Sequence, residues 1–127
     1  MNARKKPKQL VYNFKRRFVT DVETGAKTST IRLFEKTTPP DKGDRLKLFT
    51  GMRTKDCRKL KEPSCSDCQP ISISEKEILL GKRRLTHAEE KQLATADGFD
   101  SAAHLRVFFI QTYGLPLPGN PHWVSWK

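Results

Sequence analysis

The stretch Gly25-Ala-Lys-Thr-Ser-Thr-Ile-Arg32 decides how this chain reads. Gly25 tolerates a left-handed backbone and stops a helix, and the β-branched run from Thr28 to Phe34 predicts a strand. Successive side chains of a strand point to opposite faces. Thr28, Thr30 and Arg32 therefore share one face, and Ile31 takes the other. Lys27 stands at the helix-to-strand junction, where its long stem reaches the same side. An ammonium, a hydroxyl and a guanidinium are thus offered to one point. A guanidinium grips a carboxylate, a phosphate or a base edge through two parallel hydrogen bonds. Its charge beside Lys27 also lowers the pKa of that amine. A neutral amine next to Thr30 is a way to activate an oxygen nucleophile. The competing reading is an ordinary strand face, whose Thr residues favour β structure and whose charges face water.

Upstream, Phe14, Phe18 and Val22 fall at i, i+4 and i+8, which predicts a helix from Phe14 to Thr24 with Lys15, Arg16 and Arg17 facing solvent. Residues 1–9 are basic and polar and read as a flexible arm preceding one domain over 10–127. Downstream, Thr37 to Asp44 is turn-rich. Leu46, Leu48 and Thr50 alternate in a second strand ended by Gly51. Met52 to Gln69 reads as loop, and Ile71-Ser-Ile-Ser74 as a third strand. Thr86-His-Ala-Glu89 has capping-box spacing and opens a helix through about Ala94. After the turn Asp97-Gly-Phe-Asp-Ser101, Asp100 or Ser101 caps a helix over Ala102–Tyr113. Its buried face is Leu105, Phe108, Phe109 and Thr112, and Gly114, Pro116 and Pro118 stop it. His122 to Trp126 alternates as a closing strand with Val124 and Trp126 on one side. This order predicts an α+β fold, a small mixed β-barrel with flanking helices.

At 127 residues the chain is the size of one domain. No run approaches the roughly 20 apolar residues of a membrane span. The start Met1-Asn-Ala-Arg-Lys-Lys-Pro-Lys8 has no apolar stretch behind it, so a cytoplasmic protein with no membrane partner is expected. The net charge is +11, and it is uneven: residues 1–61 hold 18 Lys and Arg against 6 Asp and Glu, residues 62–127 hold 7 against 8. A basic half favours a polyanionic partner, because phosphates release counterions on binding it. Cys57, Cys65 and Cys68 supply three thiols where a structural zinc wants four ligands. Free thiols, no metal and no cofactor are expected.

A resemblance adds to this reading. Phe14-x-x-x-Phe18 followed by Gly25-x-Lys27-x-x-Thr30-x-Arg32 looks like the signature of ASCH domains (activating signal cointegrator homology), whose fold is similar to the PUA RNA-binding domain. Pro40-Asp-Lys-Gly43-Asp44, Leu48-x-Thr50-Gly51-x-Arg53-Thr54, Asp97-Gly98-Phe99-x-Ser101 and Tyr113-Gly114-Leu115-Pro116 fit in the same order, covering residues 11–127. The resemblance implies a PUA-like barrel with a cleft for RNA or a modified nucleoside. Some family members are amidohydrolases that deacetylate acetylated cytidine, and others are reported as RNA-cleaving. In the amidohydrolases a Lys, a Thr and a Glu act together. Lys27 and Thr30 match the first two, and Asp97 falls at the acidic position, one methylene shorter than Glu. Glu75 and Glu77 are the other acids considered.

The expectation is therefore an RNA- or nucleoside-binding domain with a basic cleft lined by Lys27, Thr30 and Arg32. The alternative is a hydrolase: Thr30 attacks an amide carbonyl, Lys27 takes its proton, Arg32 holds the oxyanion, and Asp97 protonates the departing amine. An adaptor binding another protein through the basic surface is a third class. The run Arg53, Lys55, Arg58, Lys59 and Lys61 is read as a phosphate surface without base specificity. His87 and His104 read as surface residues, and Trp123 and Trp126 as packing residues.

Overall fold

The computed structural model describes residues 7–127, and the fold is mixed α+β. Eight strands among the described residues form two sheets. Strands β1 (Gln9–Phe14), β3 (Arg45–Thr50) and β4 (Arg58–Lys61) make the smaller one, in the order β1-β3-β4. Strands β2 (Ser29–Leu33), β8 (Pro121–Trp126), β5 (Cys65–Ile73), β6 (Ile78–Leu80) and β7 (Arg83–Arg84) make the larger one, in the order β2-β8-β5-β6-β7. Three helices, α1 (Val19–Thr24), α2 (His87–Ala96) and α3 (Ala102–Thr112), complete it, with a 3-10 turn at Arg16–Phe18 before α1. The smaller sheet pairs β1 with β3 in parallel, and an isolated bridge from Arg45 to Ser64 joins its margin to the approach of β5. The two sheets are not closed into one hydrogen-bonded barrel.

Several expected elements stand. The helix signal at Thr86 is a complete capping box: Glu89 N–H donates to Thr86 Oγ1 at 3.2 Å and Thr86 N–H to Glu89 Oε1 at 3.0 Å. It opens α2, which runs two residues past Ala94. Ser101, not Asp100, caps α3, accepting from His104 N–H at 3.1 Å. The final strand buries Val124 and Trp126, as its alternation requires. Gly25 closes α1 at φ 89°.

Other expectations are corrected. The arm over residues 1–9 lies in its first six positions outside the described residues, while Lys8 N–H donates to Asp44 Oδ1 at 2.9 Å and Gln9 already opens β1. The helix expected from Phe14 to Thr24 is divided: Phe14 ends β1, and only Val19–Thr24 is α-helical. Its i, i+4, i+8 stripe is genuine burial, because Phe14, Phe18 and Val22 all enter the core, but from three different backbone conformations. The alternation Leu10, Tyr12, Phe14 was the overlooked signal for β1. The segment read as loop, Met52 to Gln69, contains β4 and the start of β5, and the third strand spans Cys65–Ile73 rather than Ile71–Ser74. A register irregularity between Cys65 and Asp67 breaks the period-2 pattern there, which hides the strand in the sequence. Strands β6 and β7 were not foreseen, and Thr112, expected on the buried face of α3, is exposed.

The core lies where the sheets and helices meet. Phe14 of β1 packs edge-on to Trp126 of β8, ring centroids 6.0 Å apart, which couples the small sheet to the large one. Phe18, Phe99, Phe108 and Phe109 form an aromatic cluster between the end of β1 and α3. Among the described residues no helix is long and apolar enough to cross a membrane.

Candidate functional site

Three backbone hydrogen bonds build the site. Lys27 N–H donates to Asp21 O at 2.9 Å, folding the chain back after α1. Thr28 N–H donates to Ala96 O at 2.8 Å, which fastens the start of β2 to the end of α2. Asp97 N–H donates to Leu93 O at 3.0 Å, so the residue that ends α2 is held next to that junction. Lys27 and Asp97 are brought together by this closure.

Lys27 is almost wholly buried, at 2% exposure. Its ammonium donates to the Asp97 backbone carbonyl and lies 3.8 Å from Asp97 Oδ1. It also sits over the rings of Phe18 and Phe14, 4.7 and 5.6 Å from their centroids, a favourable placement for a cation on an aromatic face. Ser29 Oγ donates to Asp97 Oδ1 at 2.9 Å. Gly98 follows with φ 93°, and a Cβ there would meet Phe18 at 3.1 Å and the Lys27 stem at 3.2 Å. Only a glycine lets the turn pass this close to Lys27.

Burial governs the protonation of the pair. Removal from water pushes the Asp97 carboxyl above the usual carboxylate range, opposed by the Lys27 charge and the Ser29 hydrogen bond. It pushes the Lys27 amine below its usual range, opposed by Asp97. Arg32 lowers the amine further, but desolvation, and not Arg32 as the strand spacing suggested, is the leading cause. Both shifts run toward the neutral forms.

Arg32 is half-buried and held from three sides. Its Nη2 donates to Asn13 O at 2.8 Å, its Nε donates to Thr30 Oγ1 at 3.3 Å, and its guanidinium carbon lies 4.9 Å from the ring centroids of both Tyr12 and Phe14. Nη1 is left without a protein partner among the described residues.

These groups line one cleft of about 130 Å³. Its polar lining includes Lys27, Thr30, Arg32 and Asp97 together with Asn13, Lys15 and Thr112, and its aromatic walls are Phe14, Phe18, Phe99, Phe108, Phe109 and Tyr113. The four residues expected from the sequence to act together are therefore brought together. Thr28 is not among them: it precedes β2 and its carbonyl accepts from Trp126 N–H. Arg53, Lys55 and Arg58 lie outside this cleft; all three are exposed, and Arg58 Nη1 is paired with Glu23 Oε2 at 2.6 Å beside an adjoining hollow. Glu75 is exposed, Glu77 lies 4.0 Å from Arg84 Nε, and neither lines the cleft. His87 and His104 are exposed, Trp126 is core, and Trp123 is half-buried.

Ser29 and the aromatic walls escaped the sequence reading. Ser29 falls on the opposite face of β2 from Thr30 and had no role in the sequence reading, yet its hydroxyl meets the Asp97 carboxylate at the end of α2. The walls come from segments far apart in the chain, so no local spacing announces them. Cys57 is exposed, Cys65 is buried with Sγ 3.3 Å from Asp67 O, and Cys68 is half-buried. Among the described residues no group of three or more His, Cys, Asp or Glu is placed to hold a metal ion. Comparison with family models, curated proteins and solved structures finds no match to this chain.

Proposed function

We propose that the chain is a nucleoside-binding domain whose cleft takes a pyrimidine base, free or within RNA, in keeping with the resemblance to ASCH domains and their PUA-like architecture. The observation that carries this reading is the convergence of Lys27, Thr30, Arg32 and Asp97 on one aromatic-walled cleft. Size argues for a single ring. A cavity of about 150 Å³ holds a benzene-sized molecule, and the cleft, at about 130 Å³, matches one ring. Flat aromatic walls suit the faces of a base, while the unused Arg32 Nη1 donor and the Thr30 hydroxyl suit its edge carbonyls. Calorimetric titration with cytidine, uridine and adenosine tests it. Either pyrimidine nucleoside binds, adenosine binds at least tenfold more weakly, and Arg32→Ala weakens pyrimidine binding at least tenfold. Equal binding of all three, or of none, overturns the reading.

A hydrolase acting on acylated cytidine is the second reading, and the direction of the two pKa shifts favours it. A Lys27 amine pushed toward neutrality accepts a proton, and an Asp97 carboxyl pushed toward protonation donates one. In that scheme Thr30 Oγ1 bonds to the acyl carbon and its proton passes to Lys27. The carbon–nitrogen bond then breaks with a proton from Asp97 going to the amine, and water releases the acyl group from Thr30. Against it, Lys27 is directed at the Asp97 carbonyl, and no hydrogen bond joins Lys27 to Thr30 among the described residues. Incubation with acetylcytidine separates the two: a binder leaves it intact, whereas a hydrolase releases cytidine and loses turnover in Thr30→Ala.

A further inference from the structure

Three hollows meet along the segment from Asn13 to Phe18. The central cleft shares Asn13, Phe14 and Lys15 with a larger hollow of about 690 Å³, which Arg16 also lines. It also shares Phe108 with a hollow of about 230 Å³ beside Arg17. Consecutive residues Lys15, Arg16 and Arg17 thus place one cation at the junction and one in each flanking hollow. All three are exposed, and none takes part in an ion pair among the described residues. Of the acids nearby, Glu23 is paired with Arg58, while Asp56 lines the larger hollow with Arg16 and Arg58.

We propose that the site binds a single-stranded polynucleotide, with one pyrimidine in the central cleft, a neighbouring nucleotide in each flanking hollow, and the phosphates of these three nucleotides at Lys15, Arg16 and Arg17. This rests on the pyrimidine reading of the cleft and goes beyond it by naming a strand rather than a free nucleoside as the ligand. A nucleoside carries no phosphate and leaves all three cations unused, and a mononucleotide engages one at most. A duplex hides its bases in the stack, whereas an unpaired strand splays one out into a recess. Arg17 lies over the rings of Phe18, Phe99 and Phe108, its guanidinium carbon 4.9, 5.5 and 5.6 Å from their centroids. A guanidinium over aromatic faces keeps its N–H edge available to a phosphate. Lys15 Nζ, 5.0 Å from the Phe108 centroid, places its charge at the same mouth.

The test titrates the whole chain with cytidine and with fluorescent pyrimidine pentanucleotides of RNA and of DNA, at about 50 and about 200 mM salt, where phosphate contacts differ strongly in strength. The RNA pentamer is expected to bind about a hundredfold tighter than cytidine at low salt. Three single-strand phosphate contacts give a log–log salt slope of about −2. In Arg16→Ala/Arg17→Ala the ratio of pentamer to cytidine affinity falls at least tenfold and the slope flattens by more than one, while Arg16→Lys/Arg17→Lys restores the slope. Equal binding of the DNA pentamer also supports the proposal and shows that the backbone rather than the sugar is held. Cytidine binding with no gain for either pentamer overturns the strand and leaves the pyrimidine cleft standing. Failure of both ligands removes the cleft reading itself. Tight, salt-sensitive pentamer binding that the double alanine variant leaves unchanged overturns the proposed path.

Discussion

Lys27 and Asp97 stand 70 positions apart, yet the Lys27 ammonium donates to the Asp97 backbone carbonyl and lies 3.8 Å from its carboxylate, both side chains closed off from water. A pair of this kind gives up hydration on both sides. Its value for stability lies less in mutual attraction than in each group covering the other. It fastens the junction before β2 to the turn after α2, and that junction is one wall of the cleft.

Removing one member leaves the other buried without its partner. Lys27→Met and Asp97→Asn are each expected to lower the unfolding free energy by about 3–5 kcal/mol, while the double variant recovers most of the loss. Urea denaturation of the four proteins gives the coupling directly. Additive losses would mean that the two groups do not depend on each other.

The pH dependence of stability has a sign fixed by the same burial. The Asp97 carboxyl is raised in the folded state, so above its ordinary value of 3.8 the folded protein binds more protons than the unfolded chain and stability falls as pH rises to the folded value. The Lys27 amine is lowered, so between its folded value and 10.5 the unfolded chain binds more protons and stability climbs with pH. Subtracting the curve of Lys27→Met/Asp97→Asn from that of the natural chain is expected to show a fall on the acid side and a rise on the alkaline side. A flat difference would contradict both shifts.

Gly98→Ala is expected to be costly for two reasons. A φ of 93° lies in the region that L-residues avoid, at about 1–2 kcal/mol, and the new methyl meets Phe18 at 3.1 Å and the Lys27 stem at 3.2 Å. The turn must then retreat and draw the Asp97 carbonyl from Lys27. Nucleoside affinity should fall together with the thermal midpoint, whereas a backbone penalty alone would move only the midpoint.

The three thiols should separate by reactivity. Cys57 is exposed, while burial holds the Cys65 thiol above its usual range and pushes that of Cys68 up to about 12. The thiolate is the reacting form. At mildly alkaline pH an alkylating reagent followed by mass spectrometry is expected to mark Cys57 first, and Cys65 and Cys68 only after denaturation. Early labelling of Cys68 would show that β5 opens readily.

The Arg45–Thr50 strand, the capping box at Thr86, the helix after Ser101 and the strand ending at Trp126 were legible because each is written within a few residues: alternation, a cap, a glycine stop. Strand β1 and the first part of β5, before Ile71, were not. At β1 a helix-spaced stripe ran through Phe14 and competed with the Leu10, Tyr12, Phe14 alternation, and at β5 a bulge after Cys65 shifted the period.

The amino-acid order by itself determined the α+β character, the basic first half, and the grouping of Lys27, Thr30 and Arg32 around one strand, since all of these follow from local spacing and the sum of charges. The resemblance already set Asp97 beside them; only the tertiary structure decided that Ser29 joins the group, that desolvation rather than Arg32 dominates the Lys27 amine, and that phenylalanines from four segments wall the cleft. Those features depend on which distant surfaces exclude water together, and the free energy of that exclusion belongs to the packed whole rather than to any stretch of chain.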